Sequence, residues 1–172
     1  MINLTLKRAV AVAILAGASV GANATTTDLG MISTSKATTF SGVVLGNTNT
    51  SINDIFTFTL EQPNVSSGYS VVNVPLTFGG GSYNSVLSTI SLVSEGADHK
   101  IGGGDDVVLK SVVLPSAGNT SDHLSLTWNS PLTGPAYINV TGVTDGSLGG
   151  VYSGAIAAAV PEPETYAMLL AG

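Results

Sequence analysis

Asp54-Ile55-Phe56-Thr57-Phe58-Thr59-Leu60 decides the fold class. Phe56, Phe58 and Leu60 recur at every second position, with Thr57 and Thr59 between them. A period of two sends successive side chains to opposite faces of an extended strand. One face of this strand is an aromatic row for a core; the other is a row of hydroxyls for solvent or a neighbouring strand.

Outward from this strand the same pattern repeats at short intervals. A strand precedes it at Thr39–Leu45, and Gly46-Asn47-Thr48-Asn49-Thr50-Ser51 between the two is turn material. Gly and Asn accept positive φ, and Asn, Ser and Thr hydrogen-bond local backbone. Further strands are expected at Tyr69–Val74, Val86–Val93, Val107–Leu114, His123–Trp128, Tyr137–Val143 and Val151–Val160. Leu124, Leu126 and Trp128 alternate in phase, as do Ile90 and Leu92. Pro63, Pro75, Pro115, Pro131, Gly134 and the triplets Gly79-Gly80-Gly81 and Gly102-Gly103-Gly104 punctuate the gaps. Seven to eight short antiparallel strands with a turn every ten or so residues indicate an all-β protein, a β-sandwich or jelly-roll-like fold. No helical periodicity calls for βαβ units, and no repeat calls for a solenoid.

The front of the chain reads differently. Lys7 and Arg8 precede the apolar run Ala9–Ala18, and Ala22-Asn23-Ala24 follows. Charge, apolar segment and small-residue site in that order form the pattern of a secretory signal peptide, residues 1–24, cut after Ala24. The run is too short to cross a bilayer core of about 30 Å. The cut leaves a β domain over 25–159 and a terminal segment over 160–172. It also leaves Lys36, Lys100 and Lys110 against all eleven acidic residues, a net charge of −8. That sign opposes nucleic acid, which requires a basic stripe to replace phosphate counterions, and opposes anionic membranes. Absence of cysteine excludes disulfides, thiol catalysis and cysteine-ligated metals.

Chemistry is sparse in the mature segment. Two histidines each follow an aspartate, in Asp98-His99 and Asp122-His123. If Val107–Leu114 and His123–Trp128 form a hairpin, Asp106 and Asp122 lie at opposite ends of it, roughly 25 Å apart. No shared hydrolytic centre follows from that arrangement, and an extracellular hydrolase ranks last among the readings. Glu95, Asp98, Asp105 and Asp106 are oxygen donors that a loop over Glu95–Asp106 would gather as a weak calcium site; the spacing of a helix–loop–helix calcium motif is absent. Adjacent Asp105 and Asp106 do not form a glycosidase pair. The serines lack a nucleophile elbow, and the glycine triplets lack the Lys-Ser/Thr of a phosphate loop. Tyr69, Tyr83, Trp128, Tyr137 and Tyr152 are the candidate stacking surfaces of a carbohydrate-binding module. Trp128 shares its phase with core leucines, which leaves Tyr83, among Gly and Ser, as the aromatic expected in an exposed loop. Asn49, Asn64, Asn119 and Asn139 begin Asn-x-Ser/Thr triplets.

The terminal segment reads Val160-Pro161-Glu162-Pro163-Glu164-Thr165-Tyr166-Ala167-Met168-Leu169. It resembles the start of a PEP-CTERM sorting signal, the exosortase-linked signal of Gram-negative bacteria that make extracellular polysaccharide. Pro161, Glu162 and Pro163 match the core of that signal, and the run through Tyr166 matches its continuation. Ile52-Asn53-Asp54-Ile55-Phe56 resembles the characteristic segment of the FxDxF family of PEP-CTERM proteins, with Ile52 in the place of the first phenylalanine and Asp54 and Phe56 at the other two positions. Prolines flanking Glu162 disfavour sheet pairing and present it in extended chain. The full signal continues into a transmembrane stretch and a basic cluster. Here about nine residues follow Pro163 and no Lys or Arg follows Lys110. The signal reads as truncated before its transmembrane helix, so the chain as given has no stable membrane anchor.

The resemblance implies a non-enzymatic exported protein of the cell surface or extracellular matrix. Its partners would be signal peptidase, an exosortase-type enzyme and exopolysaccharide, with no cofactor apart from the weak calcium site.

Overall fold

The buried row that begins at Phe56 runs further back than its aromatic residues. Ile52, Asp54, Phe56, Phe58 and Leu60 are all buried, while the residues between them face outward. The computed structural model describes residues 24–162, 168 and 170–172. In it the row forms one side of β3 (Ser51–Leu60), and the other strands assemble around it.

Among the described residues eleven strands form in order: β1 (Thr26–Ile32), β2 (Thr38–Leu45), β3, β4 (Ser66–Asn73), β5 (Leu76–Phe78), β6 (Gly81–Tyr83), β7 (Ser85–Ser94), β8 (Val107–Val113), β9 (His123–Trp128), β10 (Ala136–Thr144) and β11 (Gly149–Ala159). One sheet has the order β1-β3-β10-β7-β8, a second β2-β11-β4-β9, and β5-β6 is a separate hairpin. The two large sheets enclose one core in a sandwich-like arrangement with open edges. Phe56, Ile90, Leu92 and Ile138 enter from the first sheet; Phe40, Tyr69, Leu124, Tyr152 and Ile156 enter from the second. Phe40 meets Phe56 at 4.4 Å between ring centroids, and Phe58 meets Tyr69 at 5.8 Å. Each such buried side chain contributes about 1.5–3 kcal/mol of transfer free energy.

The all-β expectation holds, but the count of seven to eight antiparallel strands does not. All eight expected strands form, and three more appear. β1 contains Asp28 and Gly30 and is exposed over most of its length, so it carries no alternating apolar signal. It pairs parallel to β3, with an irregularity between Asp28 and Met31. A parallel neighbour requires a crossover, supplied here by β2 in the opposite sheet. β5 and β6 are three residues each, too short for periodicity to register.

The expected hairpin of Val107–Leu114 with His123–Trp128 does not form. β8 pairs with β7, whereas β9 pairs with β4 in the other sheet. The segment between them changes sheets, and Lys110 Nζ reaches back from β8 to the Thr127 carbonyl at 2.7 Å.

Tight packing within the second sheet depends on two glycines. Tyr152 lies opposite Gly42, and Phe40 lies opposite Gly154. A Cβ on Gly42 would fall 2.2 Å from Tyr152 Cζ, and one on Gly154 2.1 Å from Phe40 Cζ. Each aromatic ring occupies the space that its glycine partner leaves empty.

Candidate functional site

Glu95 follows β7 directly, and the chain from there to Asp106 is the acidic loop. Its carboxylates organise the backbone. Asp105 Oδ2 accepts the amides of Ala97 at 2.6 Å and Asp98 at 3.2 Å. Asp98 Oδ1 accepts from Lys100 N, and Asp106 Oδ2 accepts from Gly102 N and the Tyr137 hydroxyl. Gly103 is required by proximity, since a Cβ there would lie 2.0 Å from Asp98 Oδ2.

These bonds draw Asp98, Asp105 and Asp106 together, one carboxylate oxygen of each lying within 4.8 Å of the others. The trio can in principle chelate a divalent ion. Asp106 Oδ1 is buried and has no hydrogen-bond partner among the described residues. Sequence spacing located this loop, but it could not show Tyr137 reaching in from β10. Glu95, the fourth expected donor, stands apart from the trio.

Electrostatics differ across the loop. Backbone amides of Ala97 and Asp98 hold the Asp105 carboxyl below its usual range. Burial pushes Glu95 upward, as does Asp106 nearby, with His99 acting in the opposite direction. Burial and the bond to Asp106 raise the Tyr137 phenol to about 12. Beside the loop, an open groove of about 650 Å³ is lined by Asp28, Met31, Glu95, His99 and Ile101.

The two Asp-His pairs remain apart. Ser121 accepts a bond from Leu87 N near the start of β7, whereas Asp98 follows the end of that strand. About 3.3 Å per strand residue separates the two ends by roughly 25 Å. The β8–β9 hairpin from which a separation was argued is absent, and β7 lies between the two pairs instead.

The aromatic candidates divide clearly. Tyr69, Tyr137 and Tyr152 are buried, and Trp128 packs against the core from a partly buried position. Tyr83 is on β6 rather than in a loop, and it meets Phe78 edge-to-face at 6.2 Å. Phe78 is 58% exposed, the partner that sequence reading missed. Among the Asn-x-Ser/Thr residues, Asn64 is buried and exchanges bonds with the backbone of Leu132, an arrangement that leaves no room for a glycan.

Ile52, Asp54 and Phe56 form consecutive members of the buried β3 row. Asp54 is only 2% exposed. Its Oδ1 accepts the amide and hydroxyl of Thr25, and its Oδ2 accepts the hydroxyl of Tyr152. The first residue beyond the expected signal cut is thus tied to the centre of the sandwich. Ala24 is exposed just before β1; Pro161 is partly exposed and Glu162 exposed beyond β11. Ala22, Pro163 and Tyr166 lie outside the described residues. Among the described residues, no helix is long and apolar enough to cross a membrane.

No protein-family model matches the chain, and no curated protein matches it. Among solved structures it is similar to Aeromonas hydrophila PliG, a periplasmic inhibitor of g-type lysozyme: 11% identity, covering 79% of this chain and 99% of that one, TM-score 0.40. It is also similar to the Yersinia pseudotuberculosis-derived mitogen, with 13% identity, coverage of 76% and 92%, and a TM-score of 0.35. A third similarity is to CorA of Methylomicrobium album BG8, a surface-associated copper-binding protein, with 10% identity, coverage of 77% and 99%, and a TM-score of 0.42. Likenesses at these identities and scores carry no function across.

Proposed function

We propose that the chain is an exported, non-enzymatic β domain of a Gram-negative cell surface or extracellular matrix, passed through an exosortase-type pathway and associated with exopolysaccharide. The observation carrying this reading is the end of the domain. β11 stops at Ala159, and Val160-Pro161-Glu162, the start of the segment resembling the sorting signal, leaves the sheets with Val160 and Glu162 exposed. The separation of the two Asp-His pairs supports the non-enzymatic part. Calcium is the ion proposed for the Asp98, Asp105 and Asp106 cluster, whose three side chains offer oxygen ligands.

The test follows the tagged chain, continued to the natural end of its reading frame, in Gram-negative cells with and without an exosortase-type enzyme. Delivery to the surface or matrix is expected only with the enzyme and is lost in the Pro161→Ala, Glu162→Ala double variant. Surface delivery indifferent to both changes, or retention inside the cell under all conditions, refutes the proposal.

A carbohydrate-binding module is the second reading, favoured by the exposed Phe78 and the half-buried Tyr83 that meets it edge-to-face. Aromatic faces of this kind stack against sugar rings. Saturable binding to the producer's polysaccharide, lost in Phe78→Ala and Tyr83→Ala, would support it. Absence of binding removes it.

A further inference from the structure

Asp54 is a buried carboxylate whose partners among the described residues are the Tyr152 hydroxyl and the hydroxyl and backbone nitrogen of Thr25. All are neutral in the unprocessed chain. Burial of an ion is costly unless hydrogen bonds and an opposite charge compensate it. Thr25 supplies the hydrogen bonds from a well-seated position. Its nitrogen is 3.3 Å from Asp54 Oδ1, and its carbonyl accepts the Ile55 amide at 2.7 Å. Ala24, on the other side of the expected cut, is exposed.

Hydrolysis of the Ala24–Thr25 bond adds one water. Ala24 leaves with a carboxylate on the leader, and the Thr25 nitrogen, once an amide, takes a proton as an α-ammonium. The group already directed at Asp54 then gains two donors and a full positive charge. We propose that Asp54 is the receptor for this newly made N-terminus: the Thr25 α-ammonium is its counter-ion, and leader removal locks β1 against β3. The Asp54 site thereby distinguishes processed chain from precursor. Only the position of the cut rests on the export reading.

Chains running to Gly172 and beginning at Thr25, released from a tag by a protease that leaves nothing ahead of Thr25, are compared with chains that retain Ala24. The latter displace the ammonium by one residue. The Thr25-first chain should melt about 4 °C or more above the Ala24-first chain, and the difference should vanish when both carry Asp54→Asn. Equal melting temperatures, or a difference that survives Asp54→Asn, overturn the ion pair.

Should Asp54→Asn fail to fold, the α-amine of the unsubstituted Thr25-first chain is titrated by NMR. A pKa raised by about one unit or more above the ordinary 7.7–8.0 supports the pair, and an ordinary value overturns it. N-terminal sequencing of exported protein tests the cut separately. Thr25 in first position supports the coupling to processing; any other first residue overturns that coupling and the assigned cleavage site together.

Discussion

The Tyr152 hydroxyl donates a hydrogen bond to Asp54 Oδ2 across the sandwich, joining β11 of one sheet to β3 of the other through two side chains with almost no exposure to solvent. The Phe56 ring stands edge-on to Tyr152 at 6.4 Å, so this polar contact is enclosed by aromatic packing. Burial and the neighbouring Asp54 carboxylate both push the Tyr152 phenol well above its ordinary pKa. Tyr152→Phe keeps the ring but leaves a carboxylate oxygen unpaired. It should lower unfolding free energy by about 1–3 kcal/mol, the cost of an unsatisfied buried acceptor. Urea denaturation checks this, and an unchanged midpoint would show the bond to be dispensable.

The glycines opposite aromatic rings give a second expectation. Gly42→Ala and Gly154→Ala force a methyl into Tyr152 and Phe40 respectively, and overpacking of this kind costs about 1–3 kcal/mol. Gly68, in β4, is the control, since a methyl added there would meet nothing within 4 Å. Gly68→Ala should be neutral or stabilise by about 0.4–1 kcal/mol through the unfolded chain. Thermal melts of the three variants decide whether close ring approach, rather than strand glycine in general, sets the requirement.

Legibility of the fold followed from the number of residues available to show a period. β3 has ten residues and declared its buried face through Phe56, Phe58 and Leu60. The same parity placed Asp54 on that face, yet a carboxylate in an apolar row has no visible reason until Thr25 and Tyr152 arrive from 29 and 98 residues away. β1 stayed hidden because an exposed edge strand beside a parallel neighbour has no alternation to display. The acidic loop was visible as composition, whereas its organisation by backbone amides and Tyr137 depends on three-dimensional closure.

Alkaline stability should depend on Tyr137. Its folded pKa of about 12 lies above the ordinary value of 10.0, so the folded state holds the phenolic proton more tightly than the unfolded chain. The resulting stability is fully present below the unfolded value and is lost as pH rises from about 10 through 12. Tyr137→Phe should flatten this part of the stability profile. Denaturation midpoints measured across that range should converge for the two proteins as pH rises; parallel curves would deny Tyr137 the role.

Glu95 has the same sign at lower pH. Burial first, then Asp106, raises its folded pKa above the ordinary value of 4.5, so its contribution is present below that value and declines as pH rises through the folded pKa. Glu95→Gln removes a charge that burial disfavours. The variant should be more stable than the parent at pH 7 and lose that advantage near pH 4. A variant less stable at pH 7 would mean that the Glu95 charge is paired in solution.

Calcium binding at the acidic loop should be weak for a geometric reason. Asp105 Oδ2, Asp98 Oδ1 and Asp106 Oδ2 already accept protein hydrogen bonds, so one remaining oxygen from each residue is available to an ion. Calcium takes six to eight oxygens, and the balance must come from water and backbone carbonyls. Dissociation constants of about 10⁻⁴–10⁻³ M, the range of extracellular modules, are expected by calorimetry. Asp106→Asn should weaken binding by about tenfold, since it removes charge at a buried oxygen that has no hydrogen-bond partner among the described residues. Gly103→Ala should do the same through displacement of Asp98, with all three carboxylates retained. If neither change alters the calcium titration, the ion binds elsewhere; if the parent gives no binding heat up to about 10 mM, well above that range, the three aspartates serve only to fold their own loop.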